Sequence, residues 1–147
     1  MTDAEAAIKF SLNLELFQIE IGEQRIEIAK GLSFIASQSI RFGHLDALAL
    51  EHMIYVIEEI LEQLKLDYHT QRTAQTSDEL MRQLSALFFN HAAVIDRMLL
   101  EHAFNEFTER LEYYTAKAEP DLTLLAYFVF IREMMHHLNV VEIYLNH

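Results

Sequence analysis

Residues 8–28, IKFSLNLELFQIEIGEQRIEI, decide the fold class because their apolar residues fit two different periods. On a helix these residues form two stripes on opposite sides, so the helix would need apolar cover on both faces. In an extended chain, the alternation between Ile19 and Ile28 is typical of a β-hairpin. The sequence Thr2-x-x-Glu5 matches a capping box and, together with the Glu, Leu and Gln content, favours a helix that starts near Asp3. We therefore predict a first helix, with a β-hairpin within residues 10–29 as the alternative.

The rest of the chain carries few signals that would end a helix. It has only three Gly and one Pro among 147 residues, which favours a few long helices with short connections over a β-sandwich. Apolar periodicity predicts further helices at about 45–68, 77–117 and 121–145, and the polar stretch 67–77 is predicted to be a loop. We expect one domain, residues 1–147, that folds as an all-α antiparallel bundle of about four long helices.

The third predicted helix changes its apolar face near Leu100. Leu84 and Met98 share one side before this point, whereas Phe107 and Leu111 lie on the other side after it. A straight helix over the whole segment would be about 60 Å long, which is too long for a compact domain of this size. We therefore expect the helix to break near residues 99–106, or to pack its second half on a different surface.

Charge and composition exclude several classes of function. The formal net charge of −12 and the 11 scattered Lys and Arg residues argue against a nucleic-acid role. There is no Cys, which excludes disulfides, thiolate metal sites and cysteine nucleophiles. Three Gly are too few for a Gly-rich phosphate loop, and no Ser-His-Asp order is present. The acidic N-terminus does not fit a signal peptide, and the apolar run 122–131 has about half the length of a membrane span, so we expect a cytoplasmic protein without a membrane role.

One motif occurs twice, fifty residues apart. Asp46-x-x-x-Leu50-Glu51-His52-x6-Glu59 is matched by Asp96-x-x-x-Leu100-Glu101-His102-x6-Glu109. His and Glu seven residues apart return to the same helix face, so two such helices could hold a metal ion between them. Glu106, one turn after His102, could join the same site. The two motifs could equally be two solvated helix faces.

The last predicted helix adds a further His and Glu pattern. Its one polar stripe contains Glu133-x-x-His136, which carboxylate-bridged di-metal bundles use twice and which this chain contains once. The alternative is an internal salt bridge, in which Arg132 or a histidine pairs with an acid of the second or third helix. His91, in the middle of an apolar stripe, is predicted to be a hydrogen-bonded core histidine. The candidate metal ligands are His52, Glu59, His102, Glu106, Glu109, Glu133 and His136.

Two hypotheses of function follow. The first is a non-enzymatic helical interaction module that forms a homodimer or binds another protein. Two apolar stripes on the first helix and an almost wholly apolar last helix leave more apolar surface than a small bundle can cover. This module needs no cofactor. The alternative is a metal-binding bundle of the di-metal carboxylate/His type, acting as a sensor or an enzyme with Fe, Mn or Zn. The sequence leaves enzymatic activity, substrate and pathway undecided.

Overall fold

The computed structural model describes residues 6–146 and shows a mixed α/β architecture with a six-stranded sheet and six helices. The all-α bundle predicted from the sequence is therefore wrong. In chain order the elements are β1 (Ala7–Leu12), β2 (Phe17–Ile21), β3 (Gln24–Ile28), α1 (Leu32–Ser39), α2 (Ala47–Glu62), β4 (Arg72–Thr76), α3 (Glu79–Phe88), β5 (Val94–Asp96), α4 (Arg97–Glu109), α5 (Leu111–Ala118), α6 (Thr123–His137) and β6 (Val140–Leu145). The capping-box residues Thr2 and Glu5 lie outside the described residues.

The sheet has the strand order β3-β2-β1-β4-β6-β5. β4 runs parallel to both β1 and β6, whereas β2, β3 and β5 are antiparallel to their neighbours. Consequently the carboxyl ends of three parallel strands, at Leu12, Thr76 and Leu145, lie at the same end of the sheet. In folds of this kind, that end is where ligands bind.

Strands β1 to β3 replace the predicted first helix, and the alternative hairpin is the correct interpretation of residues 17–28. In β1, Ile8 and Phe10 are buried while Lys9 between them is exposed. A strand directs alternate side chains to one face, so the two helical stripes become a single apolar face. Gly22 has a φ of 59° in the two-residue turn between Ile21 and Gln24, a conformation that a side chain would strain.

The polar segment 67–77, predicted to be a loop, contains β4, which lies between β1 and β6 in the sheet. Ala74 and Thr76 are buried, and Arg72 is 1% exposed. The Nη1 atom of Arg72 donates to the main-chain oxygens of Asp67 at 2.6 Å and Leu138 at 2.9 Å. Pairing with a strand on each side, rather than a run of apolar side chains, holds this segment in the sheet.

The predicted helices also end at the wrong residues. α2 and α6 correspond to the helices predicted at 45–68 and 121–145, but both are shorter, and the last residues of the second one form β6. The predicted helix 77–117 is divided into α3, β5, α4 and α5. Asn90 and His91, with φ angles of 52° and 61°, break it earlier than residues 99–106. His91 is exposed in this turn, so its assignment to the core is wrong.

α6 lies at the centre of the molecule. Residues 125–131 of this helix are all buried, and the helix contacts α1, α2, α3, α4 and β6. Phe17 of β2 and Phe130 of α6 are both 0% exposed, with their ring centroids 4.8 Å apart. Most of the apolar surface that suggested a partner protein is therefore buried within the chain, although Leu14 is 50% exposed. None of the helices within residues 6–146 has the length and apolar character that crossing a membrane requires.

The helices cover one face of the sheet, and the other face is polar. Its side chains include Lys9, Ser11, Gln18, Glu20, Gln75 and Glu142, all of them half-buried or exposed. We call this surface the open face. It matters for function because polar side chains on it are free to meet a ligand or another chain.

Candidate functional site

A cleft of about 270 Å³ lies where the open face meets the carboxyl ends of β1, β4 and β6. Its lining residues are Lys9, Phe10, Ser11, Gln18, Glu20, Gln75, Thr76, Ser77, Asp78 and Asn146. Loops that leave parallel strands at this end converge, which is why ligands bind there. We call this cleft the carboxyl-end cleft.

Asp78, between β4 and α3, is a half-buried carboxyl group of the cleft. Its Oδ2 atom accepts hydrogen bonds from the main-chain N of Leu12 at 2.9 Å and from the hydroxyl of Tyr127 at 2.8 Å. Burial raises the pKa of Asp78 above its ordinary value, although hydrogen bonds from Tyr127, Leu12 and Thr76 act in the opposite direction. A carboxyl group with a raised pKa can exchange protons closer to neutral pH than an exposed one.

Tyr127 of α6 fixes the position of this carboxyl group. The side chain is 0% exposed. Burial, together with the charge of Asp78 and the hydrogen bond to it, raises the pKa of Tyr127 well above its ordinary value. The phenol therefore stays protonated at neutral pH and donates to Asp78. Helix α6 thus fixes the position of the Asp78 carboxyl group at the end of the sheet.

Ser77 and Asp78, which line the cleft, lead directly into the first turn of α3. The side chain of Asp78, at the N-cap position, makes no capping bond to this turn, because its Oδ2 faces Leu12 and Tyr127 instead. The Oγ1 atom of Thr76 accepts from the main-chain N of Asp78 at 3.1 Å and orders the segment that enters the helix. Ser77 is exposed. A helix start and a free hydroxyl side by side are donors suited to an anion.

Amide side chains and one cation form the rest of the wall. Nδ2 of Asn146 donates to Oε1 of Gln75 at 2.9 Å, and the main-chain N of Asn146 donates to the oxygen of Thr76 at 2.8 Å. These bonds fix the chain after β6 against the end of β4. Lys9 contributes a positive charge and Glu20, its cross-strand neighbour, a negative one.

The β1–β2 loop follows the carboxyl end of β1 but contributes no residue to the lining of the cleft, and its polar atoms bond within the chain. Oδ1 of Asn13 accepts from the main-chain N atoms of Glu15 and Leu16, both at 2.9 Å. The main-chain oxygen of Asn13 accepts from the N atom of Leu32 at 2.9 Å, at the start of α1. The Asn13 side chain is therefore occupied, and the donors left for a ligand are Lys9 on β1 and the groups on the β4–α3 side of the cleft.

None of the seven predicted metal ligands lines the carboxyl-end cleft. Two of them, His52 and Glu59, are exposed on α2. Glu133 is buried in α6, and His136 is exposed on the same helix. The other three are exposed on α4: His102, Glu106 and Glu109. Within residues 6–146, no group of three or more His, Asp or Glu side chains is arranged to hold a metal ion. The metal role of these seven residues stays a prediction without geometric support.

The structure brings Glu133 and His136 into an ion-pair network, which was the alternative interpretation. Arg132 donates from Nε to Glu101 at 3.1 Å and from Nη1 to Glu133 at 2.6 Å. His136 contacts the same Glu101 oxygen, so α4 and α6 are joined. Burial and the neighbouring Glu133 raise the pKa of Glu58 on α2. The polar stripe of α6 therefore connects three helices.

The repeated motif marks the start of two helices. Asp46 and Asp96 are the N-cap residues of α2 and α4, and each Oδ1 accepts from the main-chain N three residues later at 2.8 Å. Leu50 and Leu100, four residues after the cap, are both buried. The positions shared by the two copies are thus those that begin a helix and attach its first turn to the core.

Ser77, Asp78 and Tyr127 are not among the site residues predicted from the sequence. The signal that was available is the sequence Thr76-Ser77-Asp78, a cluster of hydroxyl and carboxyl groups at the boundary of two elements. This cluster indicates a site at the end of a strand only when the preceding residues, β4, are known to form a strand.

Comparison with known proteins gives structural matches only. No family model and no curated protein matches the sequence. The fold is similar to three solved structures from Aquifex aeolicus: one described as the PPX-GPPA enzyme (TM-score 0.73, 12% identity), one as the type II variant of the Ppx/GppA phosphatase (0.70, 11%) and one as the Ppx/GppA family member (0.69, 11%). Each match covers 95% of this chain and 52%, 52% and 51% of the other chain, respectively. The chain thus spans about half the length of these proteins.

These findings overturn the proposed helical interaction module. That hypothesis required an all-α bundle with apolar faces left over, whereas the chain has an α/β fold and buries Phe17 and Phe130 in its own core. The solved structures that share the fold are described as an enzyme and a phosphatase. At this level of identity the likeness establishes one conclusion, which is that the chain has the fold seen in about half of each Ppx/GppA structure.

Proposed function

We propose that the carboxyl-end cleft binds the phosphate group of a small phosphorylated ligand and supports its hydrolysis, as part of a phosphatase-type enzyme. The observation that carries this proposal is Asp78. Its carboxyl group has a raised pKa, is held by Tyr127, and stands beside Ser77 and the start of α3 at the carboxyl end of the parallel strands. The likeness in fold to a Ppx/GppA phosphatase supports the same class of reaction.

The cleft contains groups for each part of such a reaction. The Ser77 hydroxyl, the first-turn N–H groups of α3 and Lys9 bind phosphate oxygens. Asp78 as carboxylate accepts a proton from a water molecule that attacks phosphorus. The bond from phosphorus to the leaving oxygen then breaks, and the proton held by Asp78 passes to that oxygen. Inorganic phosphate and the free leaving group are the products.

The charge of the cleft limits the ligand. The chain has a formal net charge of −12, and Glu20 and Asp78 stand against the single cation Lys9 within the cleft. A long polyanion would be repelled, so we propose a ligand with one or two phosphates. The two carboxylates of the cleft, Glu20 and Asp78, would suit a hard cation such as Mg²⁺ or Mn²⁺, which binds one or two carboxylates together with substrate phosphates. Zn²⁺ and Fe²⁺, which prefer histidine, do not fit this cleft.

Binding of inorganic pyrophosphate, rather than its hydrolysis, tests the proposal, because the chain spans only about half the length of the solved structures that share its fold. Calorimetry should show saturable binding that Mg²⁺ strengthens and EDTA weakens. Ser77→Ala should weaken binding about tenfold, the effect of one lost charge-assisted hydrogen bond. Glu79→Gln, on an exposed neighbour of the cleft, is the matched control and should change little.

If pyrophosphate does not bind either with or without Mg²⁺, the proposal is wrong. Binding that Ser77→Ala leaves intact and that Arg110→Ala abolishes would place the anion elsewhere, since Arg110 lies outside the cleft.

A further inference from the structure

Strand β3 forms one edge of the sheet and pairs only with β2 within residues 6–146. The turn that precedes it has two residues with Gly22 at the first position, and such a turn closes on a hydrogen-bonded pair, here Ile21 and Gln24. Hydrogen bonding alternates along the strand, so Ile26 directs its main-chain N–H and C=O towards β2 as well. The main-chain groups of Arg25 and Glu27 therefore point outwards from the sheet.

The side chains of the same two residues carry opposite charges. Arg25 and Glu27 are exposed, and their side chains lie 3.3 Å apart (Nε to Oε1). Across the sheet, Arg25 is the cross-strand neighbour of Glu20, which is in turn the neighbour of Lys9. Positive and negative charges thus alternate from β1 to the edge. An edge strand with charges of one sign repels another edge, whereas this edge is complementary to itself.

We propose that two copies of this chain associate through β3, in antiparallel register about a two-fold axis at Ile26. In this register Arg25 lies opposite Glu27 of the partner subunit, and both carry the outward main-chain groups that the new pair needs. A shift of the register in either direction sets Arg25 opposite its own copy, or Glu27 opposite its own copy, and like charges repel. The two sheets become one continuous sheet, with the charge alternation carried across the axis.

Charge exchange at the two positions tests this pairing. Light scattering over a series of increasing protein concentration should show the wild type moving from 17.2 kDa to twice that mass. Each of the single variants Arg25→Glu and Glu27→Arg should associate at least about tenfold more weakly, because each dimer then contains two like-charge contacts. Glu62→Arg is the control for the change in net charge, because Glu62 is exposed at the end of α2, away from the edge strand.

Mixing the two single variants separates the interface from effects inside one chain. A chain with Arg25→Glu carries two negative charges at the edge and a chain with Glu27→Arg carries two positive ones. The mixture should therefore form heterodimers at concentrations at which neither variant dimerises alone, and no change within one chain can be rescued by mixing. Melting temperatures confirm that each variant is folded. A wild type that stays at 17.2 kDa throughout the series, or a mixture that stays monomeric, would overturn the pairing.

Discussion

Asp78, the residue that carries the proposed function, lowers the stability of the fold at neutral pH. Its carboxyl group accepts hydrogen bonds from Leu12 and Tyr127, yet burial still raises its pKa. A group whose pKa is higher in the folded than in the unfolded state contributes stability below the unfolded pKa and loses that contribution as the pH rises through the folded pKa. At neutral pH the ionised Asp78 therefore costs the fold free energy, as expected of a side chain retained for chemistry.

Replacement of Asp78 by Asn should raise the free energy of unfolding at pH 7. The amide oxygen can still accept both hydrogen bonds, and no charge has to be buried. The gain should shrink as the pH falls towards about 4, near the ordinary pKa of Asp, because the wild-type carboxyl group becomes protonated there as well. Urea unfolding at a series of pH values measures this difference.

Asp121 provides the control with the opposite sign. Hydrogen bonds from Thr123 lower the pKa of Asp121. Its ionised form therefore stabilises the fold above the unfolded pKa, and this contribution is lost as the pH falls through the folded pKa. Asp121→Asn should lower stability at pH 7. If the two variants change stability in the same direction at pH 7, the account of Asp78 is incorrect.

Among the elements, α2 and α4 share the way in which they begin. Asp46 and Asp96 accept main-chain N–H groups of the first turn, and Leu50 and Leu100 bury the next turn. In both helices, the same residue types at the same spacing therefore bind the free N–H groups at the helix start. The histidines that follow are exposed in both copies.

Asp46→Ala and Asp96→Ala should each lower the free energy of unfolding by about 1 kcal/mol, the usual cost of losing an N-cap. His52→Ala and His102→Ala, in the same motif, should each change it by less than about 0.5 kcal/mol. Chemical denaturation of the four variants compares the two effects. A larger loss at the histidines than at the aspartates would restore a specific role for the histidines and contradict the capping interpretation.

At the level of the whole molecule, Gly31 joins the sheet to the helical layer. A Cβ atom at this position would lie 2.4 Å from the main-chain oxygen of Asn13 and 2.5 Å from the N atom of Leu16. The N atom of Leu32, the next residue, donates to the same Asn13 oxygen. The β1–β2 loop and the start of α1 thus touch backbone to backbone, next to the carboxyl-end cleft.

Gly31→Ala should destabilise the protein by more than about 2 kcal/mol, because main-chain atoms cannot move aside as a flexible side chain can. Gly43→Ala is the matched control. Gly43 has a φ of 70° and nothing within 4 Å of an added Cβ, so only the backbone conformation opposes the substitution. Its cost should be about 1 kcal/mol. Equal melting temperatures for the two variants would show that the loop can move away from α1.

The candidate site could not be predicted from the sequence because its residues meet only in the folded chain. Tyr127 and Asp78 are 49 residues apart, and Asp78 and Leu12 are 66 apart. The polar stripe of α6 was easier to interpret. Arg132, Glu133 and His136 had to find partners because the rest of the helix is apolar, and the predicted ion pair with another helix is present at Glu101.

Local sequence is sufficient to account for the N-caps at Asp46 and Asp96, for the apolar face that alternation gives to residues 17–28 and for the absence of cysteine chemistry, although the helix start at Asp96 was not predicted and a helix was favoured for 17–28. These properties depend on neighbouring residues or on composition. Only the tertiary structure decided that 72–76 is a central strand and that Asp78 lies at the end of three parallel strands. A helix forms its hydrogen bonds within one segment, whereas a strand forms them with segments that are distant in the chain. A polar pentapeptide such as RTAQT therefore becomes a strand only when β1 and β6 lie on its two sides.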